Sequence, residues 1–543
     1  MNHLLCGLAA HPALPSELVD RLIAVADADI ASDLAARADL TREQAVALAA
    51  RVEESAVRLV YEGRLTDADI DPATHPYAAL ALLHEGAGRP EWARLFAADP
   101  DAERREKLAA CPGLPSDVVR TLAADTDVRV VAELALWTTP EVAAGLAAHP
   151  HAEVRRAVAV NEATPPDILA ALITGEGLPP ARRCLVCDRE ETPFTHDPYC
   201  PSLNCDLLPG AACGGSHEST VHDTQVAALR NPATPTGAVV GFADHPSMIV
   251  RCALAGRPDL PPEVGARLAR DPMPGVRAEL AGNPAIGDAL IRVLAGDRDH
   301  DVLRELAHHP RVPLDVLTAD LAGAVKIRAT LLPRIAAASP AEVETLTQAP
   351  NPAVRMLVAQ RRDLPAGIRD ALAGDPDAKV VKSVAPHPGL SEARLRAMVA
   401  RHGARVVAKV AANPDASPAL LEDLTRYGRA VHKALREVAR HRNATAPALL
   451  ACLADREARP HAAGHPALPP EVIAGLLTDA DWQVVESAAA NPSLPAGVAA
   501  DLIPRLPIPR AYPGRTPPAS VSGDLAESSD YNRSGAGGTG GEQ

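Results

Sequence analysis

Aromatic residues are scarce in this 543-residue chain: 3 Phe, 6 Tyr and 3 Trp, or 2 % in all. An enzyme that extrudes a nucleobase needs aromatic faces to hold it, so the composition argues against a helical-repeat glycosylase or lyase. Long apolar runs are missing as well. No window approaches the 18 or so apolar residues that cross a bilayer, which excludes a helical membrane span. The start, M-N-H-L-L-C-G-L, has no basic segment and only a short apolar stretch before Cys6. It predicts neither a signal peptide nor a lipid anchor, and hence a cytoplasmic protein. Basic charge is not in excess either. With 54 Lys and Arg against 69 Asp and Glu, the net charge of −15 speaks against bulk binding to nucleic acid or to an anionic membrane. There is no Gly-rich phosphate loop and no G-x-S-x-G elbow. These absences together predict a protein that is not an enzyme.

What the chain does have is proline, 52 residues of it, and the proline is periodic. Pro232, Pro258, Pro284 and Pro310 stand 26 residues apart. The stretch Pro258–Asn283, P-D-L-P-P-E-V-G-A-R-L-A-R-D-P-M-P-G-V-R-A-E-L-A-G-N, is the clearest copy of a repeat. After Pro261 and Pro262, Val264 and Leu268 share one helical face; Val276 and Leu280 form a second i, i+4 pair. Proline suits the first helical position, and Asn283 before Pro284 is pushed out of the α region. Each copy is therefore predicted to be two short helices. The flanking copies place Ala238, Phe242, Val250 and Leu254, and Leu290, Leu294, Val302 and Leu306, in the same four slots. Four such side chains cannot offset the entropy of ordering 26 residues, so each unit must borrow stability from its neighbours.

The period holds from the first residues to about 174, with a degenerate stretch at 60–89, and resumes from Asn231 to about 503 with slips at 311–361 and 427–443. Residues 1–35 read as a capping half-unit followed by a first copy. The expected domains are a helical-repeat block at 1–178, a Cys/His-rich module at 179–225, a second repeat block at 226–503 and a disordered Pro/Gly/Ser-rich tail at 504–543.

The interruption holds five of the nine cysteines. It reads C-L-V-C-D-R-E-E-T-P-F-T-H-D-P-Y-C-P-S-L-N-C-D-L-L-P-G-A-A-C-G-G-S-H. Cys184 and Cys187 form C-x-x-C, and Cys200 and Cys205 form a second pair. Cys213 and His217 are further candidates, with His196 in reserve. Thiolates in close pairs suit a tetrahedral zinc ion that folds a loop lacking its own core. Sulfur suits an iron–sulfur cluster as well. We expect structural Zn2+, with an iron–sulfur cluster as the alternative. Cys6, Cys111, Cys252 and Cys452 lie singly in repeat positions and read as small buried hydrophobes.

The combination N-P, L-P-x-x-V-x-x-L-A-x-D and V-R-x-x-L-A resembles the leucine-rich repeat variant family over most of residues 1–503. The resemblance implies an all-α, right-handed solenoid similar to armadillo and HEAT superhelices, in which α-helices alternate with 3₁₀-type helices. It also implies a cysteine-rich iron–sulfur module, which that family places before its repeats and which lies inside this chain. The closing C-G-G-S-H is similar to the C-D-G-S-H signature of a two-iron cluster family.

Side chains at repeated positions have plainer readings. Arg155, Arg251, Arg277, Arg328 and Arg355 follow the residue that starts the second helix. They form either an anion-binding ridge or ion pairs with aspartates such as Asp244, Asp271 and Asp297; the acidic net charge favours pairs. Asp125, Asp271, Asp375 and Asp455 read as helix caps. Asn231, Asn283, Asn413 and Asn491 read as turn residues, as do His149, His245, His309, His387 and His465. Trp137 and Trp482 read as core or groove positions. The expected function is a non-enzymatic solenoid scaffold that binds a protein or peptide on its concave face, with a metal knuckle between two blocks. The alternatives are an iron–sulfur redox- or metal-responsive regulator and, more remotely, a glycosylase-like or lyase-like enzyme.

Overall fold

In the computed structural model, which describes residues 2–184, 218–322, 330–427 and 432–503, helices are the only regular elements among the described residues. An isolated bridge between His151 and Arg183 is the sole extended pairing there. Met1–Ile503 forms one unit. The tail expected at 504–543 lies outside the described residues.

The Pro258–Asn283 copy folds as its pattern predicts. Its helices are Pro262–Leu268 and Pro274–Gly282, each with proline in the first turn, and the second stops at Asn283. Leu268, Val276 and Leu280 are completely buried and Val264 nearly so. In several first helices the apolar stripe is one residue broader than expected. Val239, Ala243 and Ile291 are buried where Ala238, Phe242 and Leu290 are only half-buried. A helix turning 100° per residue presents two adjacent positions to a core, and here the second of each pair takes the inner one. Most first helices are α-helical; among the described residues the 3₁₀ form is limited to Val240–Asp244 and Gly403–Arg405.

Second helices pack on second helices along the chain. One described run goes from Asn2–Ala9 through Ala28–Ala35, Glu53–Tyr61, Pro76–His84, Ala102–Ala109, Val128–Trp137 and Ala152–Val160 to Glu218–Arg230, Met248–Ala255, Pro274–Gly282 and His300–His308. Another goes from Pro352–Val358 through Ala378–Val384, Val407–Ala411, His432–Arg440 and Arg459–Ala463 to Trp482–Ala489. At the degenerate stretch no first helix separates Glu53–Tyr61 from Pro76–His84, and Leu65 and Ile70 of the connecting loop fill the core instead.

Two findings depart from the sequence reading. Helix Glu218–Arg230 crosses residue 225, expected as a module boundary, and packs directly on Ala152–Val160. The cysteine-rich stretch is thus an insertion between the two helices of one repeat, Pro166–Thr174 and Glu218–Arg230. In addition, Asn2–Ala9 packs on Trp482–Ala489, so the first residues do not act as a cap with one free face.

Candidate functional site

A buried polar side chain at one recurring position, the residue before proline in the Asn283, His309 and Asn413 copies, joins its repeat to the one before it. Asn283 is buried; its amide nitrogen donates to the carbonyls of Ala255 at 2.7 Å and Arg257 at 2.8 Å, while its Oδ1 accepts from Ala285 N at 2.9 Å. The second interaction is the turn bond expected from sequence. The first was not anticipated, and it recurs: Asn161, Asn413 and Asn491 each reach two carbonyls of the preceding repeat. Histidine serves the same slot. His309 Nε2 lies 2.9 Å from the Asn283 carbonyl and His441 Nε2 2.7 Å from that of Asn413, while each Nδ1 accepts from its own turn. Arginine serves it in Arg37, Arg257 and Arg361, which bond carbonyls behind them and are steadied by Asp39, Asp259 and Asp363 two residues on. The readable signal was a slot filled in these repeats by Asn, His or Arg, side chains long enough and rich enough in N–H to span two turns; Cys111 takes it in another copy and approaches the Leu80 carbonyl only at 3.8 Å.

A second set of contacts resolves the arginine ridge. Arg251 pairs with Asp271 through Nε–Oδ2 at 2.7 Å and Nη2–Oδ1 at 3.2 Å, both side chains being about 95 % buried. Arg277–Asp297 and Arg355–Asp375 repeat this two-point pairing, and Arg105–Asp125 adds one not singled out in the sequence. Asp244 pairs instead with Arg267. The Arg277 hydrogen bond holds the Asp297 carboxyl below its ordinary pKa against the opposing effect of burial. Arg328 lies outside the described residues. These aspartates are not helix N-caps. Asp125, Asp271 and Asp375 accept from the N–H two residues on, and the capping of Val128–Trp137 and Ala378–Val384 falls to Asp127 and Asp377. Asp455 likewise bonds turn amides and His432, while Ala458 occupies the cap of the next helix. The ridge cations described in this pattern are consumed by the fold.

Arg155 is the exception. The residue 20 positions on is Gly175, and the buried guanidinium bonds the carbonyls of His149 at 2.6 Å and Pro179 at 2.6 Å. Burial pulls its pKa below the ordinary arginine value. A cavity of about 600 Å³ lies alongside, lined by Arg155, Leu172, Gly175, Pro179 and Thr224 among others.

Of the six expected metal ligands, Cys184 is within the described residues; Cys187, Cys200, Cys205, Cys213 and His217 lie outside them, as does the reserve candidate His196. Cys184 is 1 % exposed. It is positioned by the His151–Arg183 bridge, in which Ala152 N donates to Arg183 O at 2.9 Å and Arg182 N to Pro150 O at 2.8 Å. The strand-like tether holds the backbone just before the first Cys of the C-x-x-C pair against the start of helix Ala152–Val160. Among the described residues no group of three or more His, Cys, Asp or Glu could hold an ion.

The other cysteines are built for packing. Burial pushes the thiols of Cys6, Cys111 and Cys452 up to about 12 and that of half-buried Cys252 to about 11. They stay protonated at neutral pH and are poor nucleophiles or ligands. Trp137 and Trp482, placed by sequence in a core or groove, are 66 % and 51 % exposed. Trp137 is steadied by a 2.8 Å bond from its indole N–H to Glu133.

Compared with protein-family models and with curated proteins, the chain matches none. No described helix is long and apolar enough to cross a membrane.

Proposed function

We propose that this chain is a non-enzymatic scaffold: a right-handed α-solenoid of the leucine-rich repeat variant kind that binds a protein or peptide partner and carries a structural metal in the insertion that starts at Cys184. The observation that carries this reading is the internal use of its repeated polar groups. The arginines, aspartates and asparagines that recur at fixed positions bond neighbouring repeats and are not left converging on a substrate. Groups buried in pairs between repeats present no reacting atom to a substrate. Exposed large apolar side chains remain available for recognition, among them Tyr61, Leu95, Trp137, Val293 and Leu450.

The reading is tested by recovering partners from the native host and measuring their binding to purified variants. Replacing Trp137 or Leu95 by Ala should weaken a genuine partner without altering helix content. Metal analysis of the same preparation should give one zinc and no visible colour. A brown protein with visible absorption would replace zinc by an iron–sulfur cluster. A turnover reaction that survives every surface substitution would displace the scaffold reading.

A further inference from the structure

We propose that the two ends of the Met1–Ile503 unit lock onto each other through the contacts that join consecutive repeats, so that the first repeat is the next neighbour of the last within one chain. Helix Asn2–Ala9 packs on Ala28–Ala35 on one side and on Trp482–Ala489 on the other. Its Leu5, Cys6, Leu8 and Ala9 are buried, whereas an end cap would keep a polar, solvated face.

The joint repeats the chemistry of the interior steps. His11 occupies the pre-proline slot, and its ring lies against the backbones of Asn491 and Leu494, as the His309 ring lies against the Asn283 carbonyl. Nε2 of His11 stops short of a full hydrogen bond. Its Nδ1 accepts from Ala13 N at 3.1 Å, the same turn bond that His309 makes to Arg311. The first helices are joined too: Arg21, in Ser16–Val25, donates to the carbonyls of Ala500 at 3.1 Å and of Ile503, at the end of Ala496–Leu502. At the rim, the His3 ring stacks on Trp482 at 4.5 Å and pairs with Glu486 at 3.4 Å.

Gly7 shows how close the approach is. A Cβ there would run into the Glu486 carbonyl oxygen and would lie 2.8 Å from the Ala489 methyl carbon. The occupant of the last repeat's face is therefore this chain's own first helix, in the register of one more repeat. The same face could in principle take the first helix of a second copy, and the experiment separates the two.

Full-length protein would be studied by sedimentation, small-angle X-ray scattering and hydrogen exchange, alongside Gly7→Leu and Arg21→Ala. The wild type should be monomeric. Gly7→Leu should speed exchange in Asn2–Ala9 and Trp482–Ala489 by about tenfold or more and enlarge the radius of gyration, while Pro262–Leu268 and Pro274–Gly282 keep their protection. Unchanged exchange in Trp482–Ala489 would overturn the proposal. So would a wild type that associates with rising concentration and that Gly7→Leu dissociates, because the joint would then lie between copies. If Gly7→Leu unfolds the whole unit, Arg21→Ala decides. Faster exchange limited to Ser16–Val25 and Ala496–Leu502 supports the joint, and unchanged exchange at Ala496–Leu502 refutes it.

Discussion

Replacing Asn283 with leucine would keep much of the side-chain volume and remove the clasp between two repeats. The wild-type amide satisfies the Ala255 and Arg257 carbonyls and accepts from Ala285 N, all at a residue only 3 % exposed. Leucine strands these groups away from water, at about 1–3 kcal/mol for each buried group left without a partner. Burying the new side chain offsets about 1.5 kcal/mol or somewhat more. With each of the three groups at the lower end of that range, because some re-pair locally, the net loss should be about 2–4 kcal/mol. Histidine at the same position should cost about 1 kcal/mol or less, because the slot is histidine at His309 and His441, with one ring nitrogen for each side of the joint.

Because each repeat contacts chiefly its neighbours, the loss should stay local. Native-state hydrogen exchange followed by mass spectrometry is the suitable assay, since an array of repeats need not unfold in two states. Exchange in Met248–Ala255 and Pro274–Gly282 should accelerate by roughly 30-fold to nearly 1000-fold in Asn283→Leu, the range that 2–4 kcal/mol converts to. Exchange in Arg459–Ala463 should not change. Equal acceleration in the histidine and leucine variants would refute the reasoning, because it would mean that the hydrogen bonds do not carry the joint. Acceleration spread evenly over all helices would refute the nearest-neighbour picture.

Three further outcomes are expected. Arg251→Met leaves the Asp271 carboxylate buried and unpaired, costing about 3–5 kcal/mol, and the double variant with Asp271→Leu should recover most of the loss in thermal or denaturant unfolding. Acid should weaken the fold in a defined window. Burial first, and Arg362 second, lower the His387 pKa from 6.5 to about 4, and the ring's approach to the Ala359 backbone, short of a full hydrogen bond, offsets only part of this. The unfolded chain then binds the proton more readily, so this stability is complete above about pH 6.5 and falls as pH drops toward 4, by on the order of 3 kcal/mol. Denaturant midpoints between pH 7 and 4 should shift less in His387→Asn, and an equal shift would count against the assignment. Cys184→Ala should abolish bound metal while leaving the circular dichroism of the helices in place; a collapse of helix content would show that the insertion supports the repeats.

The sequence disclosed the repeat because its signals are local. Proline at the helix starts, paired apolar residues at i and i+4, and Asn before Pro each act within a few residues, and the helices Pro262–Leu268 and Pro274–Gly282 follow from them. The arginine–aspartate pairing was also legible, since Arg251 and Asp271 recur as Arg277 and Asp297 and the chain has acid in excess. The inter-repeat clasp was only half legible. Asn and His are common in turns, and nothing in a single turn reveals that the free end of the side chain reaches a carbonyl 26 or 28 residues back. The contact of Asn2–Ala9 with Trp482–Ala489 was invisible, because it depends on how small rotations accumulate over many repeats. The boundary at 225 failed for a related reason: the polar run in Glu218–Arg230 hides a helix whose place is set by its neighbours more than by its own periodicity.

The placement of the cysteine stretch constrains what a metal there could do. Asn231 donates to the carbonyls of Ala159 and Asn161, 72 and 70 residues earlier in sequence, where Asn283 makes the same two bonds across 28 and 26. The helical row therefore passes the insertion by, and Ala152–Val160, Glu218–Arg230 and Met248–Ala255 are joined side to side. A metal that set an angle between two blocks would need those blocks to meet through the insertion, as across a hinge. Here the joint is made by helices and buried amides that do not run through Cys184. A long loop costs little extra once its ends are fixed, since closure entropy grows only with the logarithm of length. The repeat can thus carry the insertion with little loss, and a metal bound there would not be needed for the row. Metal removal should accordingly change what binds at the insertion while leaving the neighbouring clasps protected from exchange, and loss of protection at Asn231 and Ala233 on chelation would show that the insertion is coupled to the fold after all.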